Sequence, residues 1–309
     1  MLCDIAIRQV CHTELVYTSA VNNLVPVIIE SETGMAELAI TPEEQDNIYK
    51  AAHRIIAHIL KCFPMSNKVL LRVLRIGVPH ITHDSHRFIG YIRNLIQCLE
   101  YAEQLRADIW DLIVDQMIVC DNMLTKMECR GKKFTADVTI FAMDEDERDA
   151  AEEGEESEHI AKLDGGLRDV LHYIAAKHNI EAEHGDLNWL HMSNGSTAEE
   201  LFKIFLSLLE TRMLLSVHVR YTSFLWLYIC SMDETYATRL LDLLWSVIVR
   251  PHVSQADIAK AQGAAAYLAA FLARAEYLDI KAAMSWMFRI VQWCLQYIDN
   301  CGIGSKRVS

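Results

Sequence analysis

Residues that break regular structure are scarce in this sequence: five prolines and twelve glycines are spread over 309 residues. An all-β domain turns every ~8–12 residues and uses those residue types to do it. Their scarcity commits the chain to long uninterrupted segments, and apolar residues recur along those segments with a helical period. Residues 41–62 open with Thr41, Pro42 and Glu44, which supply an N-cap, a proline at the first helical position and the reaching glutamate of a capping box. Ile48, Ala52, Ile55, Ile56, Ile59 and Leu60 then form one apolar stripe, and the helix is expected to stop before Pro64. Residues 67–76 make a second helix, ended by Gly77 and Pro79. The fold class expected is all-α.

Two further stripes sharpen that reading. Phe88, Ile92, Leu95, Ile96 and Leu99 mark a helix over 86–101, and Leu105, Ile109, Leu112, Ile113, Met117, Cys120 and Leu124 mark another over 105–124. The segment between them is too short for anything but antiparallel neighbours. Helical patterns resume at about 163–178, 198–215, 218–231, 235–249, 256–278 and 280–299. Serial helix hairpins of about forty residues are the layout of a HEAT-like helical repeat, an α-solenoid. No strict self-similarity marks a repeat, so a compact helical bundle remains the competing architecture. Residues 21–30 and 134–141 are the only β-like runs, both short and read as irregular.

Charge divides the chain. The net charge is −13, and ten of the fifteen residues from Asp144 to Glu158 are acidic. Such a block repels itself and buries no area, so a solvated acidic loop is expected over 125–161. It separates an N-terminal helical-repeat region, 1–124, from a C-terminal one, 162–309. An acidic chain is a poor partner for duplex DNA, where cations must displace counterions; direct specific DNA binding is not expected, and protein partners are. The N-terminus lacks the apolar core of a signal peptide, and charged residues interrupt every long apolar run. The expectation is a soluble, intracellular chain with no membrane association. Nine cysteines, an odd number without a CxxC pair, fit a reducing compartment, with Cys98, Cys120, Cys230 and Cys294 read as small buried hydrophobes.

No residue pattern announces a chemistry. G-x-x-x-x-G-K-[ST], G-x-S-x-G and HExxH are all missing from the sequence. His80, His83 and His86 share one loop with Asp84, yet they have neither the i, i+4 helical spacing nor the cysteine partners that zinc sites use. A metal-dependent enzyme on these histidines is the weakest of three readings. The acidic block lacks the glycine-centred pattern of a calcium loop. Trp226, Trp245, Trp286 and Trp293 lie beside apolar neighbours and read as core or groove residues, not base-stacking platforms. No catalytic residue, metal ligand or cofactor is assigned.

Four stretches carry a family resemblance. In 251–279 the run AAAYLAAFLARAEYL combines small residues at Ala264, Ala265, Ala269, Ala270 and Ala273 with Tyr267, Leu268, Phe271 and Leu272. Read physically, it is a helix packed on several sides. HRIIAHILK at 53–61 leads through two proline turns into FIGYIRNLIQCL at 88–99. The helix within 100–124 passes the aspartate Asp121 near its end, and HVRYTSFLWLYICS occupies 218–231. In order and spacing these resemble the RNA polymerase I-specific transcription initiation factor family (the TIF-IA type). The chain is about half the usual family length, without its early N-terminal helices or the portion beyond Asn300. Gly263 also interrupts a helix start that is usually more regular.

The resemblance implies a HEAT-repeat fold, binding to RNA polymerase I near its stalk, and bridging to promoter-bound core factor at ribosomal RNA genes. It implies a protein adaptor with no catalytic role, working in the nucleus and nucleolus, where the short basic clusters at 130–133 and 305–307 would serve import. The docking surface expected lies around 41–124, with Arg72, Arg75, Arg87 and Arg93 as candidate partner-facing charges, against their reading as solvated helix faces. Family members are regulated by phosphorylation of surface serines. Ser66, in the turn after Pro64, and Ser85, before helix 86–101, are the exposed-loop candidates, against their reading as ordinary loop and N-cap serines. A different helical-repeat scaffold without a polymerase role is the runner-up.

Overall fold

The computed structural model describes residues 12–30, 36–137, 145–180, 187–193, 195–216 and 219–305. Its regular structure is almost wholly helical: α1 Thr13–Asn22, α2 Pro42–Cys62, α3 Asn67–Ile76, α4 Ser85–Leu99, α5 Arg106–Asp137, α6 Glu145–Lys177, α7 Ala198–Thr211, α8 Phe224–Cys230, α9 Glu234–Val249, α10 Gln255–Arg274 and α11 Ile280–Ser305. The all-α expectation holds. The capping box at Thr41 forms as its residues dictate, Glu44 N–H donating to Thr41 Oγ1 while Thr41 N–H donates to Glu44 Oε2. Ser254 and Asp257 build the same device at the start of α10.

Three sequence expectations are corrected. The run at 21–30 is not irregular throughout, because Ile28–Glu30 (β1) pairs antiparallel with Ala36–Leu38 (β2). Residues 134–137 belong to α5, and 138–141 lie outside the described residues. The acidic stretch is helical over 145–158: α5 extends to Asp137 and α6 begins at Glu145, so two helices reach into the span read as a loop. Glutamate and alanine are strong helix formers, and carboxylates in a first turn complement the helix dipole. Charge repulsion keeps such a stretch out of a core without forbidding helix.

Compactness divides the chain into Met1–Tyr228 and Ile229–Ser309, a different division from the one drawn from composition. In the first unit α6 lies along both α4 and α5, and α1 packs on α2 and α3. The core there is aromatic at its centre. Trp110 meets Tyr173 at 5.6 Å and Phe205 at 5.1 Å between ring centroids, and Trp226 Nε1 donates to the Phe205 carbonyl at 2.6 Å. Tilted and edge-on rings at this spacing are the favoured aromatic geometry. Asp121, fully buried on α5, accepts from the backbone N–H groups of Arg220, Tyr221 and Thr222 and so fixes the approach to α8.

In the second unit α9 and α10 pack together. The alanine-rich α10 buries one face, through Ala261, Ala264, Leu268 and Phe271, while Ala265, Ala269 and Ala273 are exposed. It is therefore packed on one side, not several. Trp245 contacts Trp286 and Trp293, and Arg289 lies over the first two rings. Along the rest of α11, Met284, Phe288, Val291 and Ile298 are exposed, and so is Cys294, which the sequence places in the core. Cys98, Cys120 and Cys230 are buried as expected.

Candidate functional site

Within the first unit a groove of about 1150 Å³ opens between α2, α4 and the segment 187–193. Its construction begins at Gly90, where an added Cβ would sit 2.9 Å from Pro26 Cδ, so only glycine lets the Pro26 turn close over α4. One wall comes from α2 through Gln45, Tyr49 and His53. The opposite wall is the 187–193 segment, which has no helix or strand of its own and is anchored by α4, by Glu100 just after it, and by α6. Gln97 exchanges two hydrogen bonds with the His191 backbone at 2.8 and 3.2 Å. The buried carboxylate of Glu100 takes Ser193 N–H at 2.7 Å, Tyr173 O–H at 2.8 Å and Lys177 Nζ at 2.9 Å. Burial pushes the Glu100 carboxyl up, but these donors together hold it below the usual range.

The floor is a neutral polar network. His53 Nδ1 meets Tyr101 O–H at 2.8 Å and Nε2 meets Asn94 Oδ1 at 2.9 Å. Asn94 in turn donates to the carbonyls of Leu24 and Gly90. Burial pushes the His53 imidazole down to about 4, and pushes the neighbouring Cys98 thiol up to about 12. The pair therefore stays imidazole and thiol at neutral pH, the opposite of what a cysteine nucleophile requires. His80 is bonded to Thr82 in its own turn, and among the described residues no three His, Cys, Asp or Glu side chains are placed to share a metal ion.

Several cations line the groove. Arg93 Nε donates to the buried Asp169 at 2.7 Å and its guanidinium lies 5.6 Å from the Trp189 ring centre. Arg168 reaches the same carboxylate at 3.7 Å. Arg54 is exposed and donates only to the Lys50 carbonyl, with no carboxylate partner among the described residues. Sequence reasoning passed over Arg54, Trp189 and Asp169; the last two reach Arg93 from a strap and a helix at least 76 residues along the chain.

The six residues singled out from sequence scatter. Arg72 and Arg75 lie on α3, about half exposed, pairing with Glu14 at 2.6 Å and Asp111 at 3.8 Å. Arg87 is turned to Asp84 at 3.4 Å, and Arg93 belongs to the groove. Ser85 is the first residue of α4, its N–H bonded to Glu158 Oε2 at 2.7 Å, while Asp84 caps the helix. Ser66 is a correction. It is buried, with Tyr17 O–H 2.7 Å from its Oγ and its hydroxyl donating to the Phe63 carbonyl at 2.6 Å. The turn that looked exposed is covered by α1, a helix the sequence reading did not anticipate.

The comparisons with known proteins now bear on what such a surface serves. The family model described as RNA polymerase I specific transcription initiation factor RRN3 matches residues 1–308. The chain belongs to this family. It is 34% identical over 339 aligned residues to the RNA polymerase I-specific transcription initiation factor tif-1A of Caenorhabditis elegans, covering 99% of this chain and 52% of that protein. The Mus musculus RNA polymerase I-specific transcription initiation factor RRN3 is 24% identical, over 91% of this chain and 44% of its own. The chain thus spans about half the length of the curated relatives it matches. The crystal structure of RNA polymerase I transcription initiation factor Rrn3 superposes with a TM-score of 0.67 at 16% identity, over 95% of this chain and 50% of that one. The fold is therefore the HEAT-like helical repeat of that family, a family of transcription factors and not an enzyme class.

Proposed function

We propose that this chain acts as a protein adaptor in RNA polymerase I initiation, binding the polymerase near its stalk and recruiting it to the core-factor-bound promoter of ribosomal RNA genes, in the nucleolus. The observation that carries the reading is the family match along residues 1–308. The docking surface we assign lies within 41–124, where Arg72 and Arg75 are the more available of the four arginines singled out from the sequence. Each is about half exposed and holds a carboxylate that solvent also reaches, so exchanging it for a partner's carboxylate costs little. Arg87 and Arg93 contribute at the edge of the same region. Ser85 is the serine best placed for regulation. A phosphate there adds about −1.5 to −2 charge beside Asp84 and Glu158, which would repel it and loosen the start of α4. Ser66 becomes accessible only if α1 lifts from the Phe63–Ser66 turn.

The test is affinity purification of the tagged chain from cells, probing for subunits of polymerases I, II and III. Selective recovery of polymerase I, reduced about tenfold by Arg72→Glu with Arg75→Glu and also reduced by Ser85→Glu, supports the reading. Recovery of no polymerase, or of all three alike, by a folded chain would overturn it and leave a helical-repeat scaffold of another use.

A further inference from the structure

The groove between α2, α4 and residues 187–193 has a charge balance unlike that of the molecule around it. Among the described residues, Lys50, Arg54, Arg93 and Arg168 line it against Glu43 and Asp46, in a chain of net charge −13. The two carboxylates sit in the first turns of α2, and one of them, Asp46, is paired with Lys50. The single buried carboxylate of Asp169 serves both Arg93 and Arg168, which leaves one positive charge uncompensated, and Arg54 has no acid partner among the described residues.

We infer that this groove docks an acidic polypeptide segment of a partner protein, its carboxylates pairing with the positive charge that Arg54, Arg93 and Arg168 leave along the lining. The volume, about 1150 Å³, exceeds that of a drug-sized ligand site, and the lining runs along α2 from Glu43 to Arg54, about 16 Å of helix. Those dimensions suit several residues of chain. A nucleic acid fits less well. Each nucleotide brings a full charge, Glu43 and Asp46 would repel one end of the strand, and three of the four cations already share carboxylates. A carboxylate-bearing segment needs only the surplus. Trp189, held under Arg93, offers an aromatic face for apolar residues interspersed in such a segment.

The inference deepens the docking role proposed for 41–124 and rests on it, yet the two fail separately, because its test uses no polymerase. Fluorescein-labelled random copolymer of glutamate and tyrosine is titrated into the purified chain and followed by anisotropy. A Gly-Ser polypeptide, polylysine and a single-stranded oligonucleotide of matched charge serve as comparators. The copolymer is expected to bind at least about tenfold tighter than the Gly-Ser chain and to weaken as salt rises from roughly 50 to roughly 300 mM. Arg54→Glu, an exposed change with an unaltered circular dichroism spectrum, should lower its affinity about tenfold, while Lys203→Glu, an exposed change on α7 outside the groove, leaves it unchanged. Equal binding of the neutral polypeptide, tighter binding of the oligonucleotide, insensitivity to salt, or indifference to Arg54→Glu would each overturn the assignment.

Discussion

His53 shows how a residue type that sequence treats as a generic polar position becomes a fixed element of structure. Its two ring nitrogens are both bonded within the groove floor, to Tyr101 and Asn94, and burial outweighs the bond to the Asn94 oxygen, which favours a protonated ring. The folded-state value is therefore pushed down to about 4 by burial, against about 6.5 in an unfolded chain. The sign follows directly: below the unfolded value the unfolded chain takes up a proton that the folded chain refuses. Stability is present above about pH 6.5 and declines as pH falls toward about 4, by at most roughly 3 kcal/mol. Urea denaturation at several pH values should show that decline. His53→Gln, which keeps a neutral donor and acceptor, should lower the neutral-pH midpoint modestly and flatten the acid slope. At the same scale Ser66 was misread because a serine after proline is ordinarily exposed, and nothing local to Pro64–Ser66 announces that Tyr17 will cover it.

Between elements, α6 approaches α4 closely at Gly165. A Cβ there would lie 2.3 Å from Ile89 Cδ1 and 2.8 Å from Ile89 Cγ1, so the glycine is required by the neighbouring helix and not by its own. Gly165→Ala should cost about 1–3 kcal/mol through overpacking, although alanine is about 1 kcal/mol the better helix former. In an Ile89→Ala background the obstruction is gone and the same substitution should become stabilising by up to that propensity gain. A double-mutant cycle in urea reads both signs, and an effect that is the same in both backgrounds would refute the packing account. The acidic stretch over 144–158 teaches the complementary lesson about elements. Its charge was legible, and its backbone conformation was not, because helix propensity and solvation are separate properties of glutamate.

For the whole molecule, the net charge of −13 sets what the surface can hold without help. Proteins that bind duplex DNA without sequence preference do so at ~10⁻⁴–10⁻⁶ M at physiological salt by releasing counterions with lysine and arginine. This chain has too few free cations for that, since most of its described arginines are engaged with carboxylates. A labelled duplex of about 30 base pairs should show no gel-shift at tens of micromolar protein and about 150 mM salt, and a shift in that range would contradict the expectation. The described helices also include none long and apolar enough to cross a membrane.

The sequence by itself determined the helical class, the positions of most helices, the capping boxes at Thr41 and Ser254, and the family, because these rest on periodicity, local hydrogen bonding and the order of motifs. Tertiary structure decided which of those residues meet. Asp121 reaching the backbone at 220–222, Glu100 and Gln97 holding the strap at 187–193, and Asp169 reached by Arg93 are contacts across 76 to 101 residues of chain, with the strap's bonds at 93 and 94. No local preference encodes them. They form only where packed helices bring buried charges and donors within bonding distance, and leaving those groups unpaired would cost more than the fold can spare.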